Sequence, residues 1–123
     1  MLIEVLQAKL QKAVVTDSNV KYRGSITLDR DIMDDLGVKP YQRCDINLVG
    51  EDEYGQPFRG NSYILPGPRG TGCCEANGAL SYHIAKKSEV HLNFYASVPE
   101  GSIDDDYEPI VIESNLPYMK KKK

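Results

Sequence analysis

The chain has 123 residues, 41% of them hydrophobic and 27% charged, which is the size of one domain and too short for a two-domain enzyme. Fifteen Lys and Arg against eighteen Asp and Glu leave a formal charge of -3, so the basic face that phosphate binding requires is missing and no nucleic-acid partner is expected. Ten Gly, seven Pro and no Trp point to a turn-rich, sheet-rich domain rather than a helical bundle.

From the amino terminus, Leu2 to Thr16 carries short apolar runs around polar positions and ends in β-branched residues, which predicts a strand. Ser25 to Leu28 is a second short β-type run. Asp29 to Gly37 predicts a short helix: Asp29 or Asp31 caps its start, Ile32, Met33 and Leu36 share a face, and Gly37 supplies a left-handed stop. Arg43 to Val49 alternates as a strand with Cys44, Ile46 and Leu48 on one side, and Phe58 to Leu65 is the next. Pro66 to Gly72 is dense in turn formers and predicts a constrained loop. Cys73 to Ala76 fits another strand, Ala79 to Ala85 a helical turn or short helix, and Ser88 to Ala96 a further strand. Many short strands with small helices suggest a closed β-barrel, because closure removes exposed strand edges.

Residues 98–123 differ in character. Asp104 to Asp106 is acidic, Ile110 to Ile112 apolar, and Lys120 to Lys123 basic. These features fit a solvated tail, or one whose apolar patch docks on the barrel or on a neighbouring subunit. The domain reading is therefore a barrel over residues 1–97 and a tail, partly docked or disordered, over 98–123.

Met1 to Leu10 holds Glu4 and Lys9 and no apolar core of a leader, and no run approaches the length of a membrane span. Cys44, Cys73 and Cys74 are odd in number and lack metal-ligand spacing; His83 and His91 have no motif partners. The expectation is a cytoplasmic protein with reduced thiols, no metal and no membrane partner. Phosphate-loop, dinucleotide and nucleophile-elbow motifs are all missing.

Lys21-Tyr22-Arg23-Gly24-Ser25-Ile26-Thr27 follows an opening Met1-Leu2 and Ala8-Lys9. Further on come Ser62-Tyr63, Arg69-Gly70 and Asn77-Gly78-Ala79. This ordered set, over residues 1 to about 97, resembles the pyruvoyl-dependent aspartate 1-decarboxylase family. The resemblance implies a double-psi β-barrel, a homotetramer with sites between subunits, and a chain that cuts itself between Gly24 and Ser25. The Ser25 hydroxyl would attack the Gly24 carbonyl, giving an ester by an N→O acyl shift. Elimination and loss of ammonia would then leave a pyruvoyl group on a chain starting at residue 25, beside a chain of residues 1–24. A glycine before the serine suits such a step, since it permits unusual backbone angles and leaves the carbonyl uncrowded. Without its companions, Gly-Ser reads as ordinary turn chemistry.

The resemblance further implies that the pyruvoyl ketone forms a Schiff base with the substrate amine and draws off the electrons released as carbon dioxide leaves. Tyr63 would reprotonate the carbon, Arg59, with Lys9 as a second candidate cation, would hold the acidic substrate's side-chain carboxylate, and Asn77, Gly78 and Ala79 would offer backbone and amide groups. Tyr22 would line the pocket. Each also has a plain structural reading: a strand tyrosine for Tyr63, a solvated strand lysine for Lys9, a helix-start turn for Asn77 to Ala79, a packing aromatic for Tyr22. Gln11 stands where the family commonly has histidine, on the same strand face as Lys9, and Ser62 replaces its threonine while keeping a hydroxyl. Ser62 and Tyr63 point opposite ways on a regular strand, so both serve one site only at a bend or a subunit boundary. The expected activity is conversion of L-aspartate to β-alanine and carbon dioxide for pantothenate and coenzyme A synthesis, with room for a helper protein in maturation. Two alternatives remain: a pyruvoyl-dependent decarboxylase of another small amino acid, motivated by Gln11, and an unprocessed barrel serving as a binding module.

Overall fold

A computed structural model of the protein describes residues 1–22 and 25–120. Gly24, after which the cleavage is expected, and Lys121 to Lys123 of the basic end fall outside these residues. The strands are β1 (Leu2–Val14), β2 (Asp17–Asn19), β3 (Ser25–Asp29), β4 (Arg43–Leu48), β5 (Arg59–Gly67), β6 (Cys74–Asn77), β7 (Glu89–Pro99) and β8 (Ile110–Ser114), and the one α-helix is α1 (Arg30–Leu36).

The strands are hydrogen-bonded in the order β2-β6-β3-β5-β4-β7-β1-β8. β1 and β2 are one length of chain bent at Val15 and Thr16. At the bend Val15 N–H donates to the Ser88 carbonyl and Thr16 N–H to the Cys74 carbonyl, both at 2.8 Å. One length of chain thus links β2, at one edge of the sheet, to β1, next to the other edge, and the result is a mainly β, barrel-like fold. Apolar residues at alternate positions fill its inside: Ala8 and Leu10 of β1, Ile26 and Leu28 of β3, Ile46 of β4, Ile64 of β5, and Val90, Leu92 and Phe94 of β7 are all fully buried. Each such aliphatic or aromatic side chain contributes about 1.5–3 kcal/mol by leaving water. Cys44, Cys73 and Cys74 are unbridged and buried, and burial pushes the Cys44 thiol up to about 12, so it packs as a small apolar residue.

α1 forms as its sequence predicts. Asp29 caps it by accepting from Asp31 N–H, Gly37 ends it at φ 73°, and Ile32, Met33 and Leu36 face inward. Two boundaries differ from the sequence reading. The predicted first strand breaks at Val14, because the bend is needed to carry the chain across the barrel, and Asp17–Asn19 becomes a separate strand parallel to β6. Pro66 and Gly67, predicted as loop, extend β5 alongside Leu28 and Asp29 of β3. A proline is tolerated here because β4 pairs with β5 only as far as Tyr63, which leaves one side of the strand open at Pro66. Residues 78–82 form a 3-10 turn.

β7 runs through residue 97 to Pro99, and Ile110–Ser114 pairs in parallel with β1, Ala8 opposite Ile110 and Lys12 opposite Ser114. Past β8 the chain is pinned by the buried Asn115, which accepts from Val14 N–H at 2.8 Å and donates to the Val14 and Gly72 carbonyls at 2.9 and 2.8 Å. Gly72 has φ 66°, and a Cβ there would lie 2.5 Å from Met119 Cγ and 2.9 Å from the Asn115 carbonyl oxygen. Gly72→Ala is therefore expected to cost about 2–4 kcal/mol of stability, from left-handed strain plus overpacking. Urea unfolding measures it, and a change below about 0.5 kcal/mol would mean that the segment after β8 is not anchored there.

Candidate active site

Ser25 opens β3 and is 2% exposed. It pairs with Asn77 of β6, whose side-chain amide nitrogen lies 3.4 Å from Ser25 Oγ and 3.0 Å from Thr27 Oγ1. Asn77 is itself buried, and among the described residues no donor reaches its Oδ1. A buried amide oxygen left without a donor costs about 1–3 kcal/mol, so this atom marks a place where the fold tolerates an unmet hydrogen bond. Thr27, two residues after Ser25, shares its strand face and joins the cluster. The sequence reading missed it, although that spacing was the available signal. Gly78 follows at φ 66° and begins the 3-10 turn.

β3 and β5 run parallel with Ile26 opposite Ile64. One residue earlier on each strand stand Ser25 and Tyr63, on the face opposite those two buried isoleucines. Tyr63 stacks on Tyr41, ring centroids 5.8 Å apart. Tyr41 is held at φ 68°, its N–H donating to the Ile64 carbonyl at 2.8 Å.

Ser62 points the other way, as alternation requires, into a cavity of about 370 Å³ that it lines with Ala79, Asn61, Phe58, Leu80 and His83. His83 stacks on Phe58 with centroids 4.9 Å apart and pairs through Nδ1 with the Asp52 carboxylate at 3.0 Å. Asp52 is 1% exposed at its side chain and also accepts the Tyr54 and Gln56 N–H groups. The His83 bond, then the backbone bonds, hold its carboxyl below the usual value. Because the folded value lies below the unfolded one, the stabilisation is present above pH 3.8 and is lost as pH falls through the lowered value. In His83→Ala the Asp52 carboxyl is expected to titrate closer to 3.8, read by carbon-detected NMR; an unchanged midpoint would remove His83 as the cause.

Arg59 lies elsewhere, in an open groove of about 500 Å³ on the outer face of β4, β5 and β7 with Arg43, Asp45, Asn61 and Asn93. Lys9 on β1 stands in register with Asn93 of β7, Asn93 with Asp45, and Asp45 with Asn61. Gln11 lies one position along, its carbonyl bonded to the His91 ring. Tyr22 is exposed in the turn after β2, its N–H directed to the Asn19 carbonyl. The chain thus gathers Ser25, Asn77, Gly78 and Tyr63 at one place, puts Arg59 in the groove, and leaves Lys9 and Gln11 on β1, beside β7 at the groove's edge. Lys9 is four strands from Ser25 in the sheet order. Arg43, Asn61 and Asn93 are groove residues that the sequence reading did not single out. Polar side chains at outward strand positions announce exposure and nothing more.

Among the described residues no cluster of three His, Cys, Asp or Glu could hold a metal ion, and no helix is long and apolar enough to cross a membrane.

Comparison with known proteins matches the aspartate decarboxylase family model over residues 1–117. The aspartate 1-decarboxylase of Leptospira biflexa is 36% identical over 120 residues, covering 95% of this chain and 98% of its own. That of a Geobacillus species is 36% identical over 112 residues, 91% of this chain and 84% of the relative. That of Caulobacter vibrioides is 33% identical over 119 residues, 94% and 96% of the two chains. With the Ser25–Asn77 cluster set in a barrel-like sheet and the match running almost end to end, the chain belongs to the aspartate decarboxylase family.

Proposed function

We propose that this protein decarboxylates L-aspartate to β-alanine, using a pyruvoyl group that it makes from its own Ser25, and so feeds pantothenate and coenzyme A synthesis. The observation that carries this reading is the buried junction at the start of β3, where Ser25 lies beside the Asn77 amide and an amide oxygen without a donor. A carbonyl group formed at residue 25 would find the Asn77 N–H donor ready and Thr27 next to it, so the residues present fit the group. Such a group supplies an electron sink for the bond to carbon dioxide.

The chain's own side chains do the rest. Arg59 grips a carboxylate with a planar fork, and Lys9 adds a second cation. Tyr63, one strand from Ser25 and braced by Tyr41, is placed to deliver a proton. Gly78 and Ala79 open the 3-10 turn after Asn77, and Ala79 lines the Ser62 cavity, where its small size leaves room for a ligand. Tyr22 and Gln11 edge the pocket. Lys9 stands four strands from Ser25 in the sheet order and Arg59 four residues before Tyr63 on β5, so the full set meets where one copy's groove faces another copy's Ser25. A closed symmetric assembly, a homotetramer, satisfies that requirement, and light scattering reads it directly.

The test is product formation. Purified protein given L-aspartate should yield β-alanine and carbon dioxide in equal amounts, and glutamate or alanine should give little. Release from another amino acid with none from aspartate would overturn the substrate assignment.

A further inference from the structure

The carboxylate groove holds a second amide oxygen without a donor. Asn93 Oδ1 is buried and unpartnered among the described residues, although its side chain lines an open polar groove with Arg43, Arg59, Asp45 and Asn61. Asn93 stands in register with Lys9 on one side and Asp45 on the other. Side chains paired this way on one face have Cβ atoms about 4.5–5.5 Å apart, within reach of a lysine ammonium. Lys9 makes no ion pair among the described residues, whereas Arg43 leans on Asp45 at 3.8 Å. Lys9, on the strand beside the groove and in register with its Asn93, therefore stands next to an oxygen that needs a donor.

We propose that Asn93 is a positioning residue of the carboxylate site. Its side-chain oxygen accepts a hydrogen bond from the Lys9 ammonium when a dicarboxylate occupies the groove, and so turns that cation, together with Arg59, onto the ligand. Before binding, the lysine keeps its hydration and the oxygen its deficit. A carboxylate that draws Lys9 inward satisfies both at once, so the deficit becomes binding selectivity for acidic ligands. This rests on the decarboxylase reading for the identity of the ligand, but the geometry is that of the groove alone.

Succinate is the probe, because it carries both carboxylates of aspartate and has no amine to react. Its binding is measured by calorimetry on the chain as purified, cut or uncut. Asn93→Leu should weaken succinate about tenfold and raise the KM for aspartate similarly, leaving kcat within about twofold, while Asn93→Gln, which keeps the acceptor, stays within about threefold of the original. In a Lys9→Ala background the Asn93→Leu change should have no further effect. Asn93→Val, a good strand former, reads the same quantity if the leucine variant does not fold. The proposal is overturned if the native chain does not bind succinate, if the folded variants bind it as tightly as the original, or if the loss persists undiminished without Lys9. Asn93-dependent succinate binding in a protein that makes no β-alanine would instead remove the decarboxylase reading and leave this one standing.

Discussion

Ser25→Ala should yield a single uncut chain with no decarboxylase activity. The change removes one hydroxyl at a buried position, and an N→O acyl shift requires the hydroxyl of the residue that follows the broken bond. A serine hydroxyl is a weak nucleophile by itself, and it needs a strained bond, a base or donors for the developing oxyanion. The Asn77 amide nitrogen lies 3.4 Å from the Ser25 hydroxyl oxygen, where it sets the direction of the nucleophile. Asn77→Ala should therefore slow self-cleavage while leaving the fold intact, since Asn77 contributes backbone pairing to β3 and β6 that the change retains. Denaturing electrophoresis separates the cases. Residual activity in the Ser25→Ala protein would show that the reactive group lies elsewhere.

Tyr63→Phe should lower kcat by about 10²–10⁴-fold, the range for loss of a positioned acid, with KM for aspartate little changed. Ring volume and the stack on Tyr41 are kept, and only the hydroxyl is lost. An acid must come within about 3 Å of the carbon it protonates or act through one water, and Tyr63 occupies the position next to Ser25 on the adjacent strand. Steady-state rates on the processed protein decide this. A kcat within about threefold of the original would leave Tyr63 as a strand tyrosine that shapes the pocket.

Local chemistry makes α1 readable in the amino-acid sequence: an aspartate cap, an inward face of Ile32, Met33 and Leu36, and a left-handed glycine are short-range signals. The strand positions of Ile26, Ile46, Ile64 and Leu92 are legible for the same reason, since alternation is written in neighbouring residues. The bend at Val15 and the addition of β8 beside β1 depend on hydrogen bonds to Cys74, Ser88 and Gly72 far along the chain, and no local pattern encodes them. At the site, Ser25, Tyr63 and Asn77 are visible in the sequence only as an ordered set of motifs resembling a family. Their adjacency is a matter of register between β3, β5 and β6, which a single sequence does not contain. Thr27, Asn93 and the His83–Asp52 pair escape a sequence reading because each looks like a common surface residue until a partner from a distant strand or loop is placed beside it.

The balance of acidic and basic residues gives no hint of catalysis, and the proposed chemistry explains why. A reactive group made by cutting the backbone leaves no mark in composition and no metal or nucleotide motif. The most direct measurement is the mass of the purified protein under denaturing conditions. The account predicts two species, residues 1–24 and residues 25–123, the second lacking one ammonia relative to a serine-started chain. A single mass for the whole 123-residue chain, unchanged by incubation, warming or added cell extract, would contradict it.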